Sequence, residues 1–177
     1  MDYLNETPNQ TDVVSYTMDC SGTPTTVLLS EGWNWWAPIS EVSVEALATA
    51  IGDYVEQLVT EDGEPVSTFV PGEMYRILVN TDCEFTLMGA QATSAEIDIE
   101  QGTNWFGFIG TEMSVADAFA DFAPATGDKV VSQTQGFAIF NGTTWEGTLT
   151  QLSPGQGYVY VSKDSESKTL HLGPASK

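Results

Sequence analysis

Apolar and acidic residues alternate with period two over Ala95-Glu96-Ile97-Asp98-Ile99, which predicts a strand with one face buried and the other in water. Thr26-Val27-Leu28-Leu29 predicts another, and each of the two leads into an aromatic segment. Strands are also expected at 130–134, 137–140 and 145–149, and over Gly157-Tyr158-Val159-Tyr160-Val161. Asn141-Gly142 between apolar runs signals a hairpin, and Pro154-Gly155 marks a further turn. Helical spacing is confined to two places. Ser114 with Asp117 three residues on approximates a capping box ahead of Ala118, Phe119 and Phe122, and the alanine-rich 43–51 has the same character.

These elements recur in order. Gly32-Trp33-Asn34-Trp35-Trp36 returns as Gly102-Thr103-Asn104-Trp105-Phe106, an offset of 102 − 32 = 70. Ser43-Val44-Glu45-Ala46-Leu47 matches Ser114-Val115-Ala116-Asp117-Ala118, 71 residues on, and Gly52-Asp53-Tyr54-Val55 matches Gly127-Asp128-Lys129-Val130, 75 on. Pro71-Gly72-Glu73-Met74-Tyr75 matches Pro154-Gly155-Gln156-Gly157-Tyr158, 83 on. Offsets that only grow predict a second copy with loop or hairpin insertions. The fold class expected is mainly β: two tandem antiparallel β modules, 24–92 and 93–177, each with one short helix. Phe85-Thr86-Leu87-Met88-Gly89 and Thr169-Leu170-His171-Leu172-Gly173 read as their closing strands. Val13-Val14-Ser15-Tyr16-Thr17-Met18 looks like a third, so 1–23 is expected to be the closing strand of a preceding unit. The short link over 89–94 predicts a restricted angle between the units.

Charge narrows the partners. Five basic and 25 acidic residues give 5 − 25 = −20, a surface that repels phosphate backbones and anionic membranes. Nucleic-acid binding is therefore not expected. No apolar run approaches 18 residues, so neither is direct membrane insertion. Met1-Asp2-Tyr3-Leu4-Asn5-Glu6 lacks the basic and apolar regions of a signal peptide, so either that export route is not used or the chain belongs to a longer precursor.

Gly-Trp-Asn-Trp near the start, Gly136-Phe137-Ala138-Ile139 in the middle and Pro154-Gly155-Gln156-Gly157-Tyr158 near the end resemble a repeat module of secreted and surface-anchored Bacteroidetes proteins. The likeness is best in the second unit. The first lacks the Gly-Phe-Ala-Ile strand and has Glu73-Met74 in place of Gln156-Gly157. The resemblance implies a non-catalytic accessory β module outside the cell, and it supplies no active site.

An extracellular setting, which rests on that resemblance, would let Cys20 and Cys83 bridge, a loop closure worth about 4 kcal/mol. The other reading is two buried thiols. His171 is the only histidine; alternation in Leu170-His171-Leu172 puts it on the solvent side of a strand, so a nucleophile–histidine pair has little support and no residue is nominated as catalytic. A metal site is equally poorly served. Asp62-Gly63-Glu64, Asp82 with Glu84, Asp98 with Glu100 and Asp164 with Glu166 lack EF-hand spacing and read as solvated surface; calcium is the one ion they leave open, and no other cofactor is expected.

Positions aromatic in both copies, Trp35 with Trp105 and Trp36 with Phe106, are expected in the core. Trp33 differs, because its counterpart is Thr103 and the module does not require bulk there. Trp33 and Trp145, the latter beside the Asn-Gly turn, are the candidate platforms for the apolar face of a sugar, with core packing as the plainer reading of each. The leading functional expectation is a cell-surface or secreted spacer, adhesin or carbohydrate-binding accessory module, whose partner is a glycan or host-surface protein. The alternative is a virion structural component (head fibre, decoration or tail protein) bound to neighbouring subunits.

Overall fold

The computed structural model describes residues 22–173. Among these residues strand accounts for 49 % and helix for 10 %, so the fold is mainly β, in antiparallel sheets with two short α-helices. The first half runs β1 (Thr23–Leu29), β2 (Gly32–Trp36), β3 (Val42–Ser43), α1 (Val44–Ile51), β4 (Val55–Val59), β5 (Thr68–Phe69), β6 (Tyr75–Val79) and β7 (Cys83–Gly89). β1 pairs with β7, β3 pairs with β5, and β2, β6 and β4 form a three-stranded sheet with β6 central.

The second half repeats that plan with β8 (Ala95–Ile99), β9 (Gly102–Gly107), β10 (Met113–Ser114), α2 (Val115–Ala118), β11 (Lys129–Ser132), β12 (Gly136–Phe140), β13 (Trp145–Gly147), β14 (Gln151–Leu152), β15 (Gly157–Ser162) and β16 (Lys168–Leu172). β8 pairs with β16 and β10 with β14, as β1 does with β7 and β3 with β5. The β12–β13 hairpin is additional. It extends the sheet to the order β13-β12-β11-β15-β9.

Each half buries its own apolar cluster. Trp36, Phe69, Tyr75 and Ile77 centre the first, and Phe106, Phe119, Tyr158 and Tyr160 the second. Alternation makes these faces: along β7, Phe85 and Leu87 point inward while Glu84, Thr86 and Met88 stay in water. Both helices start as their sequences suggest. Ser43 Oγ accepts the Ala46 N–H at 3.1 Å and Ser114 Oγ the Asp117 N–H at 3.0 Å.

Three expectations need correction. The second helix ends at Ala118, before Phe119 and Phe122. Turn bonds from Phe119 to Val115, Ala120 to Asp117 and Phe122 to Phe119 continue past it, so both rings reach the core without a longer helix. The match of 52–55 to 127–130 is out of register. Leu58 pairs with Ile77 and Val130 with Tyr160, which makes Leu58 and Val130 equivalent at an offset of 130 − 58 = 72. A four-residue likeness is weaker than a hydrogen-bonded ladder, and β4 carries a bulge between Val55 and Gln57. Finally, Trp35 and Trp105 are only half-buried, for a reason found between the two halves. The strand expected at 13–18 lies outside the described residues.

Candidate functional site

The aromatic segment is positioned by its glycine and asparagine. Gly32 and Gly102 adopt φ of 98° and 104°, a region that L side chains rarely enter. Asn34 then folds back on the preceding turn: its Oδ1 accepts the Ser30 N–H, and its Nδ2 donates to the carbonyls of Ser30 and Gly32. Asn104 does the same with Glu100 and Gly102. Strand alternation sends Trp36 and Phe106 into the cores. Trp33 and Trp35 of β2, and Trp105 of β9, therefore share the opposite, outward face.

Those outward faces meet where the halves join. Ala37 donates its backbone N–H to the Gly155 carbonyl at 3.1 Å, and Gly107 donates to the Gly72 carbonyl at 2.7 Å. Ala37 and Gly107 are equivalent (offset 70), as are Gly72 and Gly155 (offset 83), so the two bonds are reciprocal. The side chains repeat the exchange. Gln133 Oε1 accepts the Trp35 N–H at 2.7 Å while its Nε2 donates to the Trp33 carbonyl. Glu61, the register equivalent of Gln133 at offset 72, accepts the Trp105 N–H at 3.0 Å. Each half thus caps the exposed edge of the other's aromatic strand, which is the pattern of a two-fold interface built within one chain. Burial here pushes the Glu61 carboxyl up; the Trp105 N–H partly offsets that, and the Asp62 charge adds to it. The link is tied down as well, with the Ala92 N–H on the Ile39 carbonyl at 2.8 Å.

Arg76 stands in this junction. It lies opposite Trp35 in the β2–β6 ladder, with its guanidinium carbon 4.8 Å from the Trp33 ring centre and 5.8 Å from that of Trp105. Such cation–π contacts contribute about 0.5–2 kcal/mol, more as water is excluded. Nε is buried without an acceptor. A cleft of about 500 Å³ runs along β1 and the Gln133-capped edge of β2, walled by Thr26, Leu28, Trp35, Trp36, Gln133 and Pro154; Trp33, Arg76 and Trp105 do not line it.

The other candidate residues separate. Trp145 is half-buried over the second core, with ring centres 5.2 Å from Phe119, 5.4 Å from Phe140 and 6.5 Å from Tyr160. Cys83 is half-buried at the start of β7, where burial raises its thiol pKa; Cys20 lies outside the described residues. His171 is exposed on β16, facing Glu96 at 3.2 Å. Among the described residues, no three or more His, Cys, Asp or Glu side chains converge to hold a metal, and no helix is long and apolar enough to cross a membrane. Asp82 accepts the Glu31 N–H at 2.7 Å, a turn contact.

Sequence reasoning passed over Arg76, although the signal was present. It is the chain's only arginine, it follows the shared Tyr75, and the residue after Tyr158 in the other copy is Val159. No protein-family model matches the chain, and comparison with curated proteins and with solved structures gives no match.

Proposed function

We propose that the chain is a non-catalytic β-repeat module of a secreted or cell-surface protein, serving as an adhesive or carbohydrate-binding accessory domain. The observation that carries this reading is Trp33. It is half-buried on the outer face of β2, it carries a guanidinium, and it sits where the other copy has Thr103. The repeat plan itself does not fix an indole at this position, and the half-exposed ring gives a sugar an apolar surface. The sequence resemblance to surface-anchored modules supports the same setting, and a −20 charge favours solubility and resists nonspecific association.

A glycan array probed with wild type, Trp33→Ala and Trp145→Ala tests the reading. Binding is expected for wild type, lost in Trp33→Ala and kept in Trp145→Ala, whose cost falls instead on the melting temperature of the second core. An array without wild-type binding would overturn it.

A further inference from the structure

We propose that Trp33, Arg76 and Trp105 form a binding site for an acidic sugar residue, its carboxylate held by the Arg76 guanidinium and its ring set against an indole. The proposal rests on the carbohydrate-binding reading above and adds to it the charge of the ligand.

The first support is what Arg76 lacks. The chain holds 25 acidic residues and a single arginine, yet among the described residues Arg76 has no carboxylate within 4.0 Å and no side-chain hydrogen bond. Elsewhere in the molecule, Lys168 meets Asp164 at 2.5 Å. Two indoles hold the guanidinium in the junction instead, leaving Nε buried and unpartnered and the terminal nitrogens without an acceptor among the described residues. A planar guanidinium fixed by aromatic contact, with its fork free, matches a carboxylate by two parallel charge-assisted hydrogen bonds.

The second support comes from comparing the copies. The positions equivalent to Trp33 and Arg76 are Thr103 and Val159, both in the same strands of the same sheet and in the same register. The scaffold therefore tolerates a small polar residue and an aliphatic one at these places. Both residues differ from their counterparts, and the two stack on each other. Trp105 comes from the other unit, so the cluster exists only because the halves are joined.

The ligand class follows from charge and shape together. A polyanion would meet the repulsion of a −20 surface, whereas a short glycan with one isolated carboxylate gains the local contact without that opposition. An acidic peptide offers the carboxylate but no sugar face for the indoles, and it is the competing outcome.

The test is an array of glycans bearing one uronate or sialate beside their neutral counterparts, with a glutamate-containing peptide printed alongside at 0.15 M salt. Wild type, Arg76→Val and Trp33→Thr are compared, each variant taking the residue that its own counterpart position carries. Wild type is expected to favour carboxylated over neutral glycans by about tenfold, the scale of one charge-assisted pair. Arg76→Val should abolish that preference while leaving weak neutral binding, and Trp33→Thr should lose both. Equal wild-type binding of acidic and neutral glycans would overturn the proposal and leave the carbohydrate reading intact, and this comparison needs no variant. Preference for carboxylated glycans unchanged in Arg76→Val would overturn the assignment to this site. Peptide binding as strong as glycan binding would overturn the ligand class. No glycan binding at all would remove the underlying reading.

Discussion

Met74 occupies the space that a side chain on Gly157 would need: a β-carbon built on Gly157 would overlap the Met74 γ-carbon. The two residues stand 157 − 74 = 83 apart, so the contact is one position of the repeat meeting its own counterpart. Ala37 and Gly107 meet in the same manner. Where a position faces itself across an interface, two bulky residues cannot both fit, and here the pairing is large against none.

Gly157→Ala should therefore destabilise the protein by about 1–3 kcal/mol through overpacking. Met74→Ala in the same chain should recover most of that loss. A double-mutant cycle by urea denaturation reads the coupling, and strictly additive effects would show that the two residues do not share the space.

The tyrosine that ends each Pro-Gly-x-x-Tyr segment closes its own turn. The Tyr75 hydroxyl accepts the Val70 N–H at 3.0 Å, and the Tyr158 hydroxyl accepts the Ser153 N–H at 2.8 Å, both from five residues upstream. Tyr158→Phe leaves the Ser153 N–H without its acceptor and should cost about 1–2 kcal/mol. A shift of the urea midpoint with unchanged slope checks it; an unaffected midpoint would mean water replaces the hydroxyl.

Much of this plan was legible beforehand. The strand alternation, the Asn-Gly hairpin and the growing offsets all come from local chemistry: side-chain period, turn preference and duplicated motifs. What periodicity does not encode is which surfaces meet. Trp35 and Trp105 read as core because both copies keep them, but the shared demand comes from the junction, where Gln133 and Glu61 cap their backbone N–H groups. Contacts separated by 44 and 98 residues leave no local signature. Arg76 was missed for the opposite reason: its singularity becomes informative only once Val159 is recognised as its counterpart.

Glu61→Gln should make the protein more stable at neutral pH. The Glu61 carboxyl is raised in the folded state, mainly by burial, so folding favours its protonated form. Its contribution is favourable below the unfolded carboxyl pKa of about 4.3 and is lost as pH rises through the higher folded value. Glutamine stays neutral throughout and offers Thr103 the donor that Gln133 offers Trp33. Melting temperatures of wild type and variant should separate at pH 7 and converge below pH 4; a constant difference would refute the titration.

Asn104→Ala should be costlier than Asn34→Ala. Both asparagines make equivalent bonds to the preceding turn, but Asn104 is 6 % exposed and Asn34 is more open. Buried turn groups left without partners cost about 1–3 kcal/mol, whereas water can replace those near the surface. Paired denaturation curves measure the order, and equal losses would argue against burial as the cause.

The pairing of β1 with β7, and of β8 with β16, has a mechanical consequence. Thr23 sits opposite Gly89 and Ala95 opposite Leu172, so within each half the chain arrives and departs at the same end of one antiparallel ladder. Tension applied across that end loads the hydrogen bonds singly and in sequence, instead of shearing them all at once. A tether made of such halves yields early by unzipping and lengthens under low force. The reciprocal junction, with its two backbone bonds and its stacked arginine, would then bear whatever load the ladders release.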